Sequence, residues 1–173
     1  DLQLALEAAP AAPQDRLDLF TRAGVTGLCD LAMPTAYMYY AAPGFATAPD
    51  GSFAGRLSLA GPIITAPDGY PGTVWGKDIA YEVSTPAEAE AAVLALLAKG
   101  ATQIKVALEP GDVAGDSWAT LTLEQLQAVT RTAHAHNLPV HAHVQSAEML
   151  AMALDGAVDV IQHVPIPYRW TEW

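Results

Sequence analysis

The chain is poor in cysteine, in positive charge and in long apolar runs, and each shortage removes a class of function. Cys29 is the lone cysteine among 173 residues. It excludes an intrachain disulfide and a cysteine-rich zinc finger, and leaves the redox compartment open. Only eight lysines and arginines stand against 19 acidic residues, giving a formal charge of −11. Nucleic acid is therefore not an expected partner, because a phosphate backbone is gripped by clustered Lys and Arg. No apolar run reaches the roughly 18 residues that suggest a membrane span. No basic segment followed by an apolar core marks a secretory leader, so a cytoplasmic location is expected. Asp1 opens the sequence and the earliest methionine is Met33, so a piece of a longer polypeptide is expected. Glycine-rich phosphate loops and nucleophile elbows are missing as well: Gly24, Gly27 and Gly61 lack the spacing of the first, and Ser146 lacks the context of the second.

What remains is a chain 51% hydrophobic and 16% charged, long enough for one domain with its own core. An Ala- and Pro-rich start leads to a short helix over 14–23, with Leu17, Phe20 and Leu19 on one face and Gly24 as its stop. Val25 to Ala32 reads as a strand, residues 35–55 as an irregular excursion holding Tyr37, Tyr39 and Tyr40, Arg56 to Thr65 as a second strand, and Pro67 to Tyr81 as a loop. Thr85-Pro86-Ala87-Glu88 is a capping box with proline at the first helical position, opening a helix to Lys99 that turns Ala89, Val93, Leu96 and Leu97 inward. Gln103 to Leu108 is the third strand. Thr122-Leu123-Glu124-Gln125 caps a helix that Asn137 closes, Pro139 to Val144 is the fourth strand, Ser146 caps the next helix, and Val158 to His163 is the fifth. Short, unalternated strands divided by amphipathic helices imply an α/β fold of parallel βα units. Five strands fall short of a closed eight-stranded barrel, which takes about 250 residues.

Three of these strands carry metal-capable side chains: Lys105, His143 and His163. In parallel βα arrays, sites form at the C-terminal ends of adjacent strands. One histidine in a strand is most simply a hydrogen-bonded core residue. Two on neighbouring strands are better explained by a metal, since imidazole is a common ligand of zinc and other divalent ions. Lys105, inside Ile-Lys-Val, either meets a buried carboxylate or snorkels to water; otherwise desolvation leaves a free amine able to take up carbon dioxide as a bridging carbamate. His141 shares a strand face with His143 and is expected to contact substrate. His134 and His136 suit a solvated helix end. Asp30 is either a site carboxylate or a loop cap, and Glu109 and Asp112, which follow the Lys105 strand, either reach the mouth of the site or, more simply, are solvated loop charge.

Taken in order, four segments resemble the amidohydrolase superfamily, in its imidazolonepropionase-like and prolidase-like branch. They are Ala23-Gly24-Val25-Thr26-Gly27-Leu28-Cys29-Asp30-Leu31, Gly100-Ala101-Thr102-Gln103-Ile104-Lys105, His136-Asn137-Leu138-Pro139-Val140-His141-Ala142-His143 and Gly156-Ala157-Val158-Asp159-Val160-Ile161-Gln162-His163. The resemblance spans about residues 14–164. It implies a partial (β/α)8 TIM barrel, about five strands of eight, over 1–173. It implies one or two divalent metals, zinc foremost, held by Lys105 (carboxylated and bridging), His143 and His163, the same three residues that carry catalysis. It implies a metal-bound hydroxide attacking the carbonyl of a small amide, dipeptide or cyclic amide. His141, Tyr168 and Arg169 are the expected substrate contacts. The family's first-strand His-x-His and eighth-strand aspartate would lie outside 1–173, so a chain incomplete for catalysis is expected. The alternatives are a non-catalytic βα binding module, a homo-oligomer, or a half-barrel needing a complementary chain.

Overall fold

A computed structural model describes residues 19–41, 56–111 and 115–163. Seven short strands run parallel: β1 (Gly27–Asp30), β2 (Arg56–Leu59), β3 (Ile63–Thr65), β4 (Ala80–Glu82), β5 (Ile104–Leu108), β6 (Val140–Val144) and β7 (Val160–Gln162). Strand β1 pairs with β2, and a second sheet has the order β4-β3-β5-β6-β7. The helices are α1 (Gly72–Trp75), α2 (Pro86–Ala98), α3 (Leu123–Ala135) and α4 (Ala147–Asp155). This is an arc of a parallel βα barrel, as the strand pattern implies.

The expected second strand is two strands. Between β2 and β3 lies Gly61, whose φ of +79° only glycine adopts without strain, and any Cβ there would press on the Met38 sulfur. The two halves then face different neighbours: β2 pairs with β1, while β3 pairs with β4 and β5. A bond from the Thr102 amide to the Leu59 carbonyl, 2.9 Å, ties β2 to the approach of β5. The expected loop over 67–81 is also corrected, since α1, a 3-10 turn (Lys77–Ile79) and the start of β4 lie in it. Its Pro and Gly residues hid elements of only three or four residues. Thr35–Ala41 is a 3-10 helix where an irregular excursion was expected. Of the expected helix over 14–23, residues 19–22 are helical and 14–18 lie outside the described residues.

The long helices start where their caps predict. Thr85 Oγ1 accepts the Glu88 amide at 3.1 Å, while the Glu88 carboxylate reaches one residue further back, to the Ser84 amide at 2.7 Å. Thr122 and Gln125 close a full reciprocal box at 3.2 and 2.7 Å. Ser146 accepts the Met149 amide. Asn137, at φ +59°, supplies the left-handed residue that ends α3. Glycine is needed at the end of α4, because a Cβ on Gly156 would run into the Leu126 side chain of α3.

The core lies between helices and the outer face of the sheet. Ile104, Val106 and Leu108 of β5 stand opposite Val140, Ala142 and Val144 of β6, and all six are buried with Val93, Leu96, Leu126 and Val129. The same register puts Lys105 beside His141 and Ala107 beside His143, on the other face. Among the described residues no helix is long and apolar enough to cross a membrane.

Candidate active site

Alternation along β5 and β6 turns Lys105, Ala107, His141 and His143 to the face opposite the helix-packed core, and β7 adds Gln162 opposite His143. His163 follows Gln162 and by alternation would point away. Its φ of +72° breaks the alternation, and its ring meets that of His143 edge-on, with centroids 4.6 Å apart. A non-glycine residue in this region stores backbone strain, which concentrates at functional sites. The rings of His143 and His163 thus lie in contact, and a left-handed residue makes that contact possible.

Lys105 is 4% exposed. Burial pulls its ammonium down from the ordinary 10.5 to about 8, a fall opposed by nearby Cys29. No ion pair joins it to a carboxylate among the described residues, so the salt-bridged reading of this lysine has no partner there. Burial lowers His141, and the Lys105 charge lowers it further. His163 is lowered by burial first, then by His143 and Lys105, with Glu109 opposing. The amine and the imidazoles therefore share one electrostatic environment. Lys105 stands in direct register with His141 rather than His143.

Of the two readings of Glu109, the simpler one, solvated loop charge, gives way to the other: it is 5% exposed, and its Oε2 lies 3.2 Å from His143 Nε2. The Glu109-Pro110-Gly111 context reads as a turn, but the Gly111 amide bonds back to Glu109 Oε1 at 3.2 Å and folds the carboxylate inward. Tyr70, from the stretch read as loop, stacks on His143 at 4.6 Å and on Trp118 at 5.6 Å. Burial raises its hydroxyl, a bond to Trp75 opposes this, and the Glu109 charge adds to the rise. No local motif marks Tyr70; only the fold brings it to the histidines.

The remaining expected residues divide. Gln162 Nε2 touches His141 Nδ1 at 2.9 Å, which fixes that ring. Asp30 is 6% exposed, its Oδ1 accepts the Ala32 amide at 3.1 Å, and burial raises its carboxyl to about 6. That bond two residues on is the loop cap of the two readings. His134 pairs with Asp159 at 2.9 Å on a half-exposed helix end, as expected. Tyr168, Arg169 and Asp112 lie outside the described residues.

By sequence, no family model and no curated protein matches the chain. Solved structures match it closely in shape. A Xaa-Pro dipeptidase with bound methionine in its active site superposes with a TM-score of 0.70 at 22% identity, over 89% of this chain and 43% of the dipeptidase. The chain has the fold of the amidohydrolases. A. niger ochratoxinase gives a TM-score of 0.69 at 20% identity, covering 93% of this chain and 42% of its own. Phenylurea hydrolase B gives 0.65 at 20%, covering 92% and 44%. The chain therefore spans less than half the length of each of these three structures.

Proposed function

We propose that this chain carries part of the active site of a metal-dependent hydrolase of small amide or dipeptide substrates. The observation that carries the reading is Lys105: a buried amine without a counter-charge among the described residues, in register with one imidazole and within electrostatic reach of another. Among those residues no three His, Cys, Asp or Glu side chains form a metal cage on their own. The fit to a divalent ion therefore depends on Lys105 joining the histidines. Nitrogen donors of this kind, with an anionic carbamate, suit zinc. Depression of the lysine raises its free-amine fraction near neutral pH. That amine adds to carbon dioxide through a new N–C bond and releases one proton, giving an anion with two oxygens.

Lys105, His143 and His163 would hold the ion. The register favours a second assignment, in which His141 takes the place of His143 beside Lys105. A divalent ion in such a site polarises a carbonyl and acidifies bound water. The chain's own contribution is to fix the His141 ring through Gln162, to set His143 against Tyr70, and to keep the lysine dry.

Zinc content of the chain after dialysis in bicarbonate buffer, by elemental analysis, tests the reading. About one zinc per chain is expected, lost in His163→Ala. Comparing His141→Ala with His143→Ala decides between the two assignments, because only the ligand variant releases the metal. Absence of bound metal in the parent chain at neutral pH would overturn the reading.

A further inference from the structure

Four groups surround the His143 ring, and they constrain where its proton can sit. Tyr70 covers one side and the His163 ring abuts edge-on, both at 4.6 Å between centroids. The Glu109 carboxylate and the Gln145 side-chain nitrogen both approach Nε2, at 3.2 and 3.1 Å. A neutral imidazole nitrogen is either donor or acceptor. If Nε2 accepted from the Gln145 amide, its lone pair would also face a carboxylate oxygen, a repulsive contact in a buried site. If Nε2 carries the proton it donates to Glu109, and a half-turn of the Gln145 carboxamide presents oxygen in place of nitrogen. Of the two neutral tautomers, only the second satisfies all three groups. The Glu109 carboxylate is itself fixed by the Gly111 amide, so it comes to the imidazole in a set orientation.

We infer that Glu109 is a positioning residue, which holds His143 as the Nε2–H tautomer and leaves Nδ1 as the ring's free lone pair. No hydrogen bond engages Nδ1 among the described residues. That nitrogen is then available to a metal or to a proton delivered by substrate. This deepens the hydrolase reading, yet the tautomer itself can be measured without metal or turnover. Carboxylate partners of this kind set both the ring orientation and the basicity of the opposite nitrogen.

The test is nitrogen-15 NMR of the metal-free chain with labelled histidine, assigned through His143→Gln. His143 is expected with protonated Nε2 and unprotonated Nδ1. In Glu109→Ala the Gln145 amide is left alone at Nε2 and donates to it, so the proton moves to Nδ1 and the two shifts exchange. Glu109→Gln keeps an acceptor oxygen and restores the parent pattern. An Nδ1–H ring in the parent chain overturns the inference, and that measurement stands whether or not Glu109→Ala folds. An unchanged tautomer in a folded Glu109→Ala overturns it too. Loss of zinc binding in a chain whose tautomer is as stated would count against the metal reading alone.

Discussion

The two faces of the β5–β6 pair are both buried and chemically opposite. On the outer face Ile104, Val106, Leu108, Val140, Ala142 and Val144 pack against the helices, and each is essentially inaccessible. On the inner face the same strands bury Lys105, His141 and His143, with Glu109 just past the end of β5. Burying apolar area stabilises a fold, at about 25 cal/mol per Å². Burying ionisable groups opposes folding unless they are paired. One face of this sheet therefore builds the fold, and the other, where the candidate site lies, weakens it. Buried ionisable groups gathered on one face, with Lys105 and His141 shifted by burial, are a physical signature of such a candidate site.

A charge on the outer face should be the most damaging change. Val106→Asp places a carboxylate among Ile64, Ile104 and Ala142 with no partner, and is expected to cost about 4 kcal/mol or more. Urea denaturation followed by circular dichroism would show a chain unfolded, or nearly so, without denaturant. A well-folded variant would mean that the outer face is less closed than its burial indicates.

The inner face should respond with the opposite sign. Lys105→Met keeps the volume and removes the buried amine, so in metal-free, bicarbonate-free buffer the variant should be more stable at pH 7. A lysine whose pKa falls from 10.5 in the unfolded chain to about 8 in the fold carries a penalty of up to about 3 kcal/mol. The sign follows from proton binding. Between those two values the unfolded chain holds the proton that the folded chain has released, so parent stability rises with pH. The advantage of Lys105→Met should be full below pH 8 and gone by about pH 10.5. Zinc binding should be lost at the same time, a stability gain taken at the expense of the site. Equal stability of the two chains at pH 7 would show that Lys105 is solvated or paired.

Much of this contrast was legible in the sequence. The helix caps at Thr85, Thr122 and Ser146 are local, and local signals survive folding. Ile-Lys-Val and Val-His-Ala-His-Val announced buried strands with chemistry on one face, because a period of two separates faces whatever the partner strand. Glu109 could be read only as one of two alternatives and Tyr70 not at all, since both sit beside Pro and Gly and their burial is decided by strands distant in the chain. His163 was expected at the site although strict alternation would turn it away; its left-handed backbone is a tertiary constraint with no signature in Val-Ile-Gln-His. The break at Gly61 was missed for a related reason. An apolar stretch from Arg56 to Thr65 looks continuous until two different neighbours demand two different registers.

Backbone conformation gives an intermediate effect. Asn137→Ala keeps the β-carbon at φ +59° but removes the carboxamide whose local hydrogen bonding makes that backbone tolerable, so alanine is expected to cost about 1 kcal/mol there. Asn137→Gly should be neutral or slightly stabilising. Because the turn feeds β6, thermal melts of the two variants measure how far the site strand depends on its entry. Identical melting temperatures would mean that the turn adapts without cost.

The smallest effect is expected where a charge meets water, at the start of the same strand. Asp159 Oδ2 accepts the Val140 amide at 2.7 Å and pairs with His134 at 2.9 Å, with both side chains about 40% exposed. Burial acts to raise its carboxyl, but the Val140 and His134 bonds outweigh it, so the folded value lies below the ordinary 3.8. A depressed carboxyl contributes stability that is fully present above its unfolded value and is lost as pH falls through the folded one. Asp159→Asn should therefore lower stability at pH 6 by about 1 kcal/mol at most, since solvent screens the pair. The difference between variant and parent should shrink below pH 4, as the parent becomes protonated. If the loss at pH 6 instead matched that of an inner-face charge, the entry of β6 would be as dry as the site, and the contrast drawn between the two faces would have to extend along the whole strand.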